Sequence, residues 1–103
     1  MADRLTSSAA VVTDAADRYA KQLASHLGRK AEVRTEPGGE RIVLGPGSCL
    51  LVPGPSSLGL RATADTQEAL ERVEQVVGSH LERFGQRNEL VVTWVRGPGG
   101  AEG

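Results

Sequence analysis

His26, His80 and Cys49 are the only histidines and the only cysteine among 103 residues. An imidazole exchanges protons near neutral pH, and a thiolate attacks carbon or holds a metal, so these three bound the chemistry the chain can offer. They form a ligand-binding or metal-binding set only if the fold brings them together. Zinc takes four ligands from sets such as Cys and His, and three candidates stand here at no recognised spacing. Nucleophilic catalysis needs a Ser or Cys beside a base, yet Cys49 lies in the apolar run CLLV, where a thiol packs as a small hydrophobe. Glu71 and Glu74 fall on a charged helix face, for which solvation is the ordinary explanation. GPGS at 45–48 and PGPSS at 53–57 read as turns, because their prolines remove the N–H donors that a phosphate loop requires. Neither a reaction nor a cofactor is indicated.

Both histidines belong to periodic segments. In DAADRYAKQLASHLG, Ala16, Tyr19, Ala20, Leu23 and Leu27 recur at three- and four-residue steps, which predicts an amphipathic helix with His26 at the margin of its apolar stripe, half in and half out. Thr13 and Asp14 are the expected N-terminal caps, and Gly28 is expected to end the helix in the left-handed conformation. Arg29, Lys30 and a protonated His26 suit the negative end of the helix dipole. A longer helix is expected over 66–84, opened by an Asp65–Glu68 capping box, with Ala69, Leu70, Val73, Val76, Val77, Leu81 and Phe84 as its stripe. Glu68 should pair with Arg72 one turn on. His80 falls between Val73, Val76, Val77 and Phe84, so it is expected to be largely buried and held by a single partner for architecture. The tripeptide Ser-His-Leu occurs at 25–27 and again at 79–81, toward the ends of the two helices.

Six apolar runs supply the remainder. SAAVV precedes the first helix; AEVRT and RIVL flank the turn EPGGE; CLLV and LGLRATA follow; ELVVTWV comes last. The order is β-α-β-β-β-β-α-β, which gives an α+β, two-layer fold with a largely antiparallel sheet of about six strands and both helices on one face. A TATA-binding-protein-like topology fits best. A ferredoxin-like fold, the runner-up, needs the four central strands to be two plus an excursion. Because RIVL and CLLV are apolar on both faces, a second copy of the chain is expected to cover the open side of the sheet, the alternative being a shield of long arginine stems and the Pro/Gly loops. Residues 5–96 read as one domain, 1–4 as a flexible N-terminus and 97–103 as a disordered Gly/Pro tail.

Twelve basic and 13 acidic side chains give a formal charge of -1, with no basic run to neutralise several phosphates. Nucleic acid is not an expected partner. A single cysteine suits a reducing compartment; the first residues lack the basic flank of a signal peptide, and no run approaches the length of a membrane span. The expectation is a cytoplasmic protein without membrane contact. With only Tyr19, Phe84 and Trp94 as aromatics, its core must be built mainly from Val, Leu and Ala.

RYAKQLASHLGRK, GSCLLV and VVGSHLERFGQRNELVVTW together resemble the bacterial DUF2218 family of domains of unknown function. Arg18, Tyr19, Lys21, Gln22, Leu23, His26 and Lys30 match one family motif. His80, Leu81, Glu82, Arg83, Phe84, Arg87, Glu89 and Trp94 match the other. Ala24, Arg29 and Gly85 depart from the residues common there, a cysteine, a second histidine and an alanine, and the first two losses weaken a metal reading. The resemblance implies a small α+β domain, sometimes associated with siderophore-interacting proteins, and no established activity. Two expectations follow. One is a non-catalytic binding or protein-interaction module, homodimeric through its sheet. The other is an accessory domain in iron or siderophore handling, with a ligand or metal near His26 and His80.

Overall fold

The computed structural model describes residues 5–96; the expected flexible N-terminus and Gly/Pro tail lie outside the described residues. Alternation of small and apolar side chains builds the sheet. Along β1 (Leu5–Val12) Ser7, Ala9 and Val11 turn inward while Ser8, Ala10 and Val12 face out. The other strands are β2 (Glu32–Glu36), β3 (Gly39–Leu44), β4 (Gly47–Pro53), β5 (Ser57–Ala64) and β6 (Val95–Arg96). They pair antiparallel throughout, in the order β2-β3-β4-β5-β1-β6. The four central runs are therefore four consecutive hairpin-linked strands, which removes the ferredoxin-like alternative. Between β3 and β4 the two-residue loop Gly45-Pro46 has positive φ only at Gly45 (65°), as a type II′ hairpin requires and as proline at the second position demands.

Helices α1 (Ala16–Leu27) and α2 (Gln67–Phe84) cover one face. Beneath them Val11, Ile42, Leu51, Leu58 and Leu60 from the strands meet Leu23, Leu70, Val73, Val77 and Leu81 from the helices, all at or near zero exposure. Burying each such side chain stabilises the fold by about 1.5–3 kcal/mol. Gly47 lets α2 approach closely, since a Cβ there would stand 2.7 Å from Val73 Cγ2. No helix among the described residues is long and apolar enough to cross a membrane.

Arginine side chains cross part of the open face. Arg34, Arg41, Leu50 and Arg61 lie in register across four strands, so the half-buried Leu50 is flanked by two arginine stems. Arg41 binds Glu36 (2.7 Å) and donates to Ser48 Oγ (3.0 Å), while Arg34 binds Glu32 (2.6 Å).

Several local expectations need correction. The first helix begins after Ala15 with no side-chain cap; Thr13 Oγ1 instead accepts from the Ala15 N–H at 3.0 Å. Gly28 is right-handed, with φ -64°. It can be so because the next residues close the helix end: the N–H groups of Gly28, Arg29, Lys30 and Ala31 donate to the carbonyls of Ala24, His26, Leu27 and Leu27. On α2 the cap is Thr66, whose hydroxyl accepts from Ala69 N–H at 3.1 Å, one residue later than the expected capping box.

The last expected strand is mostly not a strand. Only Val95–Arg96 pairs, with Ser7 and Ser8 of β1; residues 90–94 instead run back along α2. Gly78 makes room for Trp94, whose Nε1 would stand 3.0 Å from an added Cβ, and Glu82 accepts from Val92 N–H at 2.9 Å.

Glu74, expected to be solvated, is clamped by Arg96 at 2.9 and 3.0 Å and is 14% exposed. Burial works to raise its pKa, but the hydrogen bonds from Arg96 and the nearby Ser7 hydroxyl together hold it below the ordinary range. Ser7 Oγ makes no hydrogen bond of good geometry, so its contribution is proximity, and Arg96 is the firm partner. Glu32 and Glu36 are also lowered, chiefly by their hydrogen bonds to Arg34 and Arg41. A carboxylate with a depressed folded pKa stabilises above its unfolded value and loses that stabilisation as pH falls through the folded one. The urea midpoint is therefore expected to fall on acidification below the ordinary glutamate value of 4.5, and Glu74→Gln to flatten the fall.

Candidate functional site

The last turn of α1 and the C-terminal half of α2 bring the two histidines together. Their ring centroids are 5.1 Å apart at an interplanar angle of 47°, and the Phe84 ring meets His26 edge-on at 5.5 Å and His80 at 6.3 Å. His26 is exposed and His80 half-buried. Largely buried was the expectation for His80, and the difference has a physical cause. Residues 90–94 cover α2 on its Glu74–Gly78–Glu82 side, which displaces the buried arc toward Val77, Gly78 and Leu81. Val76, His80 and Phe84, all half-buried, become a flanking row.

One nitrogen of His80 is fixed by its own helix. Nδ1 lies 2.6 Å from the Val76 carbonyl oxygen; that oxygen only accepts, so Nδ1 carries the proton and a neutral ring leaves Nε2 as an acceptor. The expected result in a long-range ¹H–¹⁵N spectrum is a protonated-type Nδ1 and an unprotonated-type Nε2 for His80; the reverse pattern would break the assignment.

Both rings line a cavity of about 480 Å³, whose other walls are apolar Leu27, Ala31, Leu44 and Val76 and cationic Arg29, Lys30 and Arg72. A second cavity of about 510 Å³ adjoins it, sharing Lys30, Ala31, Leu44 and Arg72 as walls, with Glu68 as its carboxylate. Glu68 and Arg72, the expected pair, are not within 4 Å of each other, and none of the three cations forms an ion pair among the described residues. Reading the sequence missed these groove residues: Arg29 and Lys30 were explained by the helix dipole, Arg72 by Glu68, and Leu44 by its strand.

Cys49 does not join the histidines. It sits under the helices, between Ile42 and Ala62 of the neighbouring strands and fully buried. Burial pushes the thiol up to about 12, against smaller opposing effects from a backbone hydrogen bond at Arg61 and the Arg41 charge. A protonated, enclosed thiol is neither nucleophile nor metal ligand at neutral pH. Alkylation by iodoacetamide is expected only as fast as the core opens, and fast labelling of the native protein would contradict this placement.

Among the described residues no group of three or more His, Cys, Asp and Glu side chains is placed to hold a metal ion. The arrangement suits a molecule with hydrogen-bonding groups and an apolar body.

No curated protein matches the chain. A solved structure does: the NMR structure of PA4090 from Pseudomonas aeruginosa is 28% identical, with a TM-score of 0.74 over 88% of this chain and 95% of that one. The profile of DUF2218, described as an uncharacterized protein conserved in bacteria, matches residues 8–95. With that match spanning both histidine-bearing helices and the four hairpin-linked strands between them, the chain belongs to the DUF2218 family.

Proposed function

We propose that this domain is a non-catalytic binding module whose small-molecule ligand occupies the groove between the end of α1 and the flank of α2, contacting His26 and His80. The observation that carries the reading is the 5.1 Å approach of two imidazoles from different helices in the wall of one cavity. Absence of chemistry is supported by the surroundings: no Ser, Thr or Cys side chain among the described residues hydrogen-bonds to either ring. Thermal denaturation against a panel of small metabolites, followed by imidazole NMR, tests it. Saturable stabilisation with movement of both ring signals is expected. Ligands that bind while leaving both rings unmoved would put the site elsewhere.

The iron or siderophore reading uses the same two rings, with a metal between them. It has the ring approach in its favour, but Arg29, Lys30 and Arg72 in the same wall repel a cation. Zinc or ferric ion at stoichiometric concentration is expected to leave both ring signals in place. Self-association is a separate proposal. It rests on Ala10, Gly59 and Val52, in register on the open face beside Leu50, and on Val12, which is 80% exposed. A monomer by sizing at millimolar concentration would remove it.

A further inference from the structure

Resting on that reading of the groove, we infer that its ligand is a small organic anion, carboxylate or phosphate, whose charged oxygens meet Lys30 and Arg72 while its body lies on Leu27, Ala31, Leu44 and Val76. The charge balance of the walls makes the argument. Three different segments face the space: the end of α1 contributes His26, the turn after it Arg29 and Lys30, and α2 contributes Arg72, His80 and Glu68. That is three fixed cations and two imidazoles against one carboxylate. Glu68 lines the adjoining compartment and, with Glu71, a further one bounded by Arg72, Val76 and His80, whereas Lys30 and Arg72 line both of the first two.

Arg34, Arg41 and Arg96 hold carboxylates at 2.6–2.9 Å. Arg72 has Glu68 one helical turn away and does not pair with it within 4 Å. The cations remain available to a ligand, and a guanidinium beside an ammonium matches a planar carboxylate or a phosphate. An apolar floor with a few convergent charges is the usual make-up of a small-molecule site.

Benzoate, phenyl phosphate and neutral benzyl alcohol provide the test, titrated into the full chain at constant ionic strength set with sodium chloride. Benzoate or phenyl phosphate is expected to move the ring signals of His26 and His80 saturably, and whichever binds more tightly identifies the anion class. The Lys30→Gln/Arg72→Gln variant, whose changes are on the surface, is expected to fold and to bind the anion roughly tenfold or more weakly, the scale of a lost charge-assisted hydrogen bond. If benzyl alcohol binds as tightly as the anions, the inference fails while the groove remains a binding site. If neither anion moves the rings, or the double variant binds unchanged, the inference fails as well; the wider binding reading then stands or falls on the metabolite panel.

Discussion

Gly39→Ala is expected to destabilise the protein by about 3 kcal/mol or more, combining a forbidden backbone with a steric clash. Gly39 opens β3 at φ +152°, a conformation that side chains rarely adopt. A Cβ built there would stand 1.8 Å from the Leu51 carbonyl oxygen and 2.9 Å from its carbon. Both atoms belong to the backbone of β4, a central strand, so neither can swing aside. Gly45 supplies the control, since it also has positive φ (65°) but nothing within 4 Å of its Cβ position. Gly45→Ala therefore meets only the conformational penalty, about 1 kcal/mol. At roughly 4 °C per kcal/mol for a chain of this length, the two variants should differ in melting temperature by some 8 °C. Equal losses in urea denaturation would show that the strand entry accommodates a side chain.

The second large effect concerns the site. His26→Ala with His80→Ala is expected to keep the fold and lose ligand-dependent stabilisation. His26 is exposed, and His80 gives up one hydrogen bond to a carbonyl already engaged in its helix, so the loss of stability should be within about 1.5 kcal/mol. A ligand present at a hundred times its dissociation constant adds about 2.7 kcal/mol to the folded state. That increment should vanish in the double variant. An unchanged increment would place the ligand away from the rings, whereas a collapse of the unliganded protein would show His80 to be architectural after all.

Much of the fold was legible because its signals are local. Alternation in LGLRATA and the periodic stripe of α2 each follow from side chains a few residues apart, and the turns at Pro37-Gly38 and Gly45-Pro46 announce themselves by residue type. The histidine site was legible only in part. The period places His26 at a helix margin, half in and half out, and the ring is in fact exposed. For His80 the period was insufficient, because which arc of α2 is buried depends on residues 90–94 folding back against Gly78, a contact with no local signature. ELVVTWV is as apolar as a strand, yet only Val95 and Arg96 find a partner. The repeated Ser-His-Leu tripeptide carried more than it disclosed, since two helices packed on one sheet face bring corresponding turns together. Arg72 illustrates the opposite limit: spacing allows a pair with Glu68, and the groove geometry leaves it unmade.

Ring-to-ring contact and solvent access of the two imidazoles are measurable together, by nuclear Overhauser effects between the His26 and His80 ring protons and by their relaxation with a soluble paramagnetic agent. A cross-peak between the rings is predicted, with strong relaxation at His26, intermediate relaxation at His80 and almost none at the Leu81 methyls. No cross-peak, or a His80 ring as protected as Leu81, would contradict a shared and open groove.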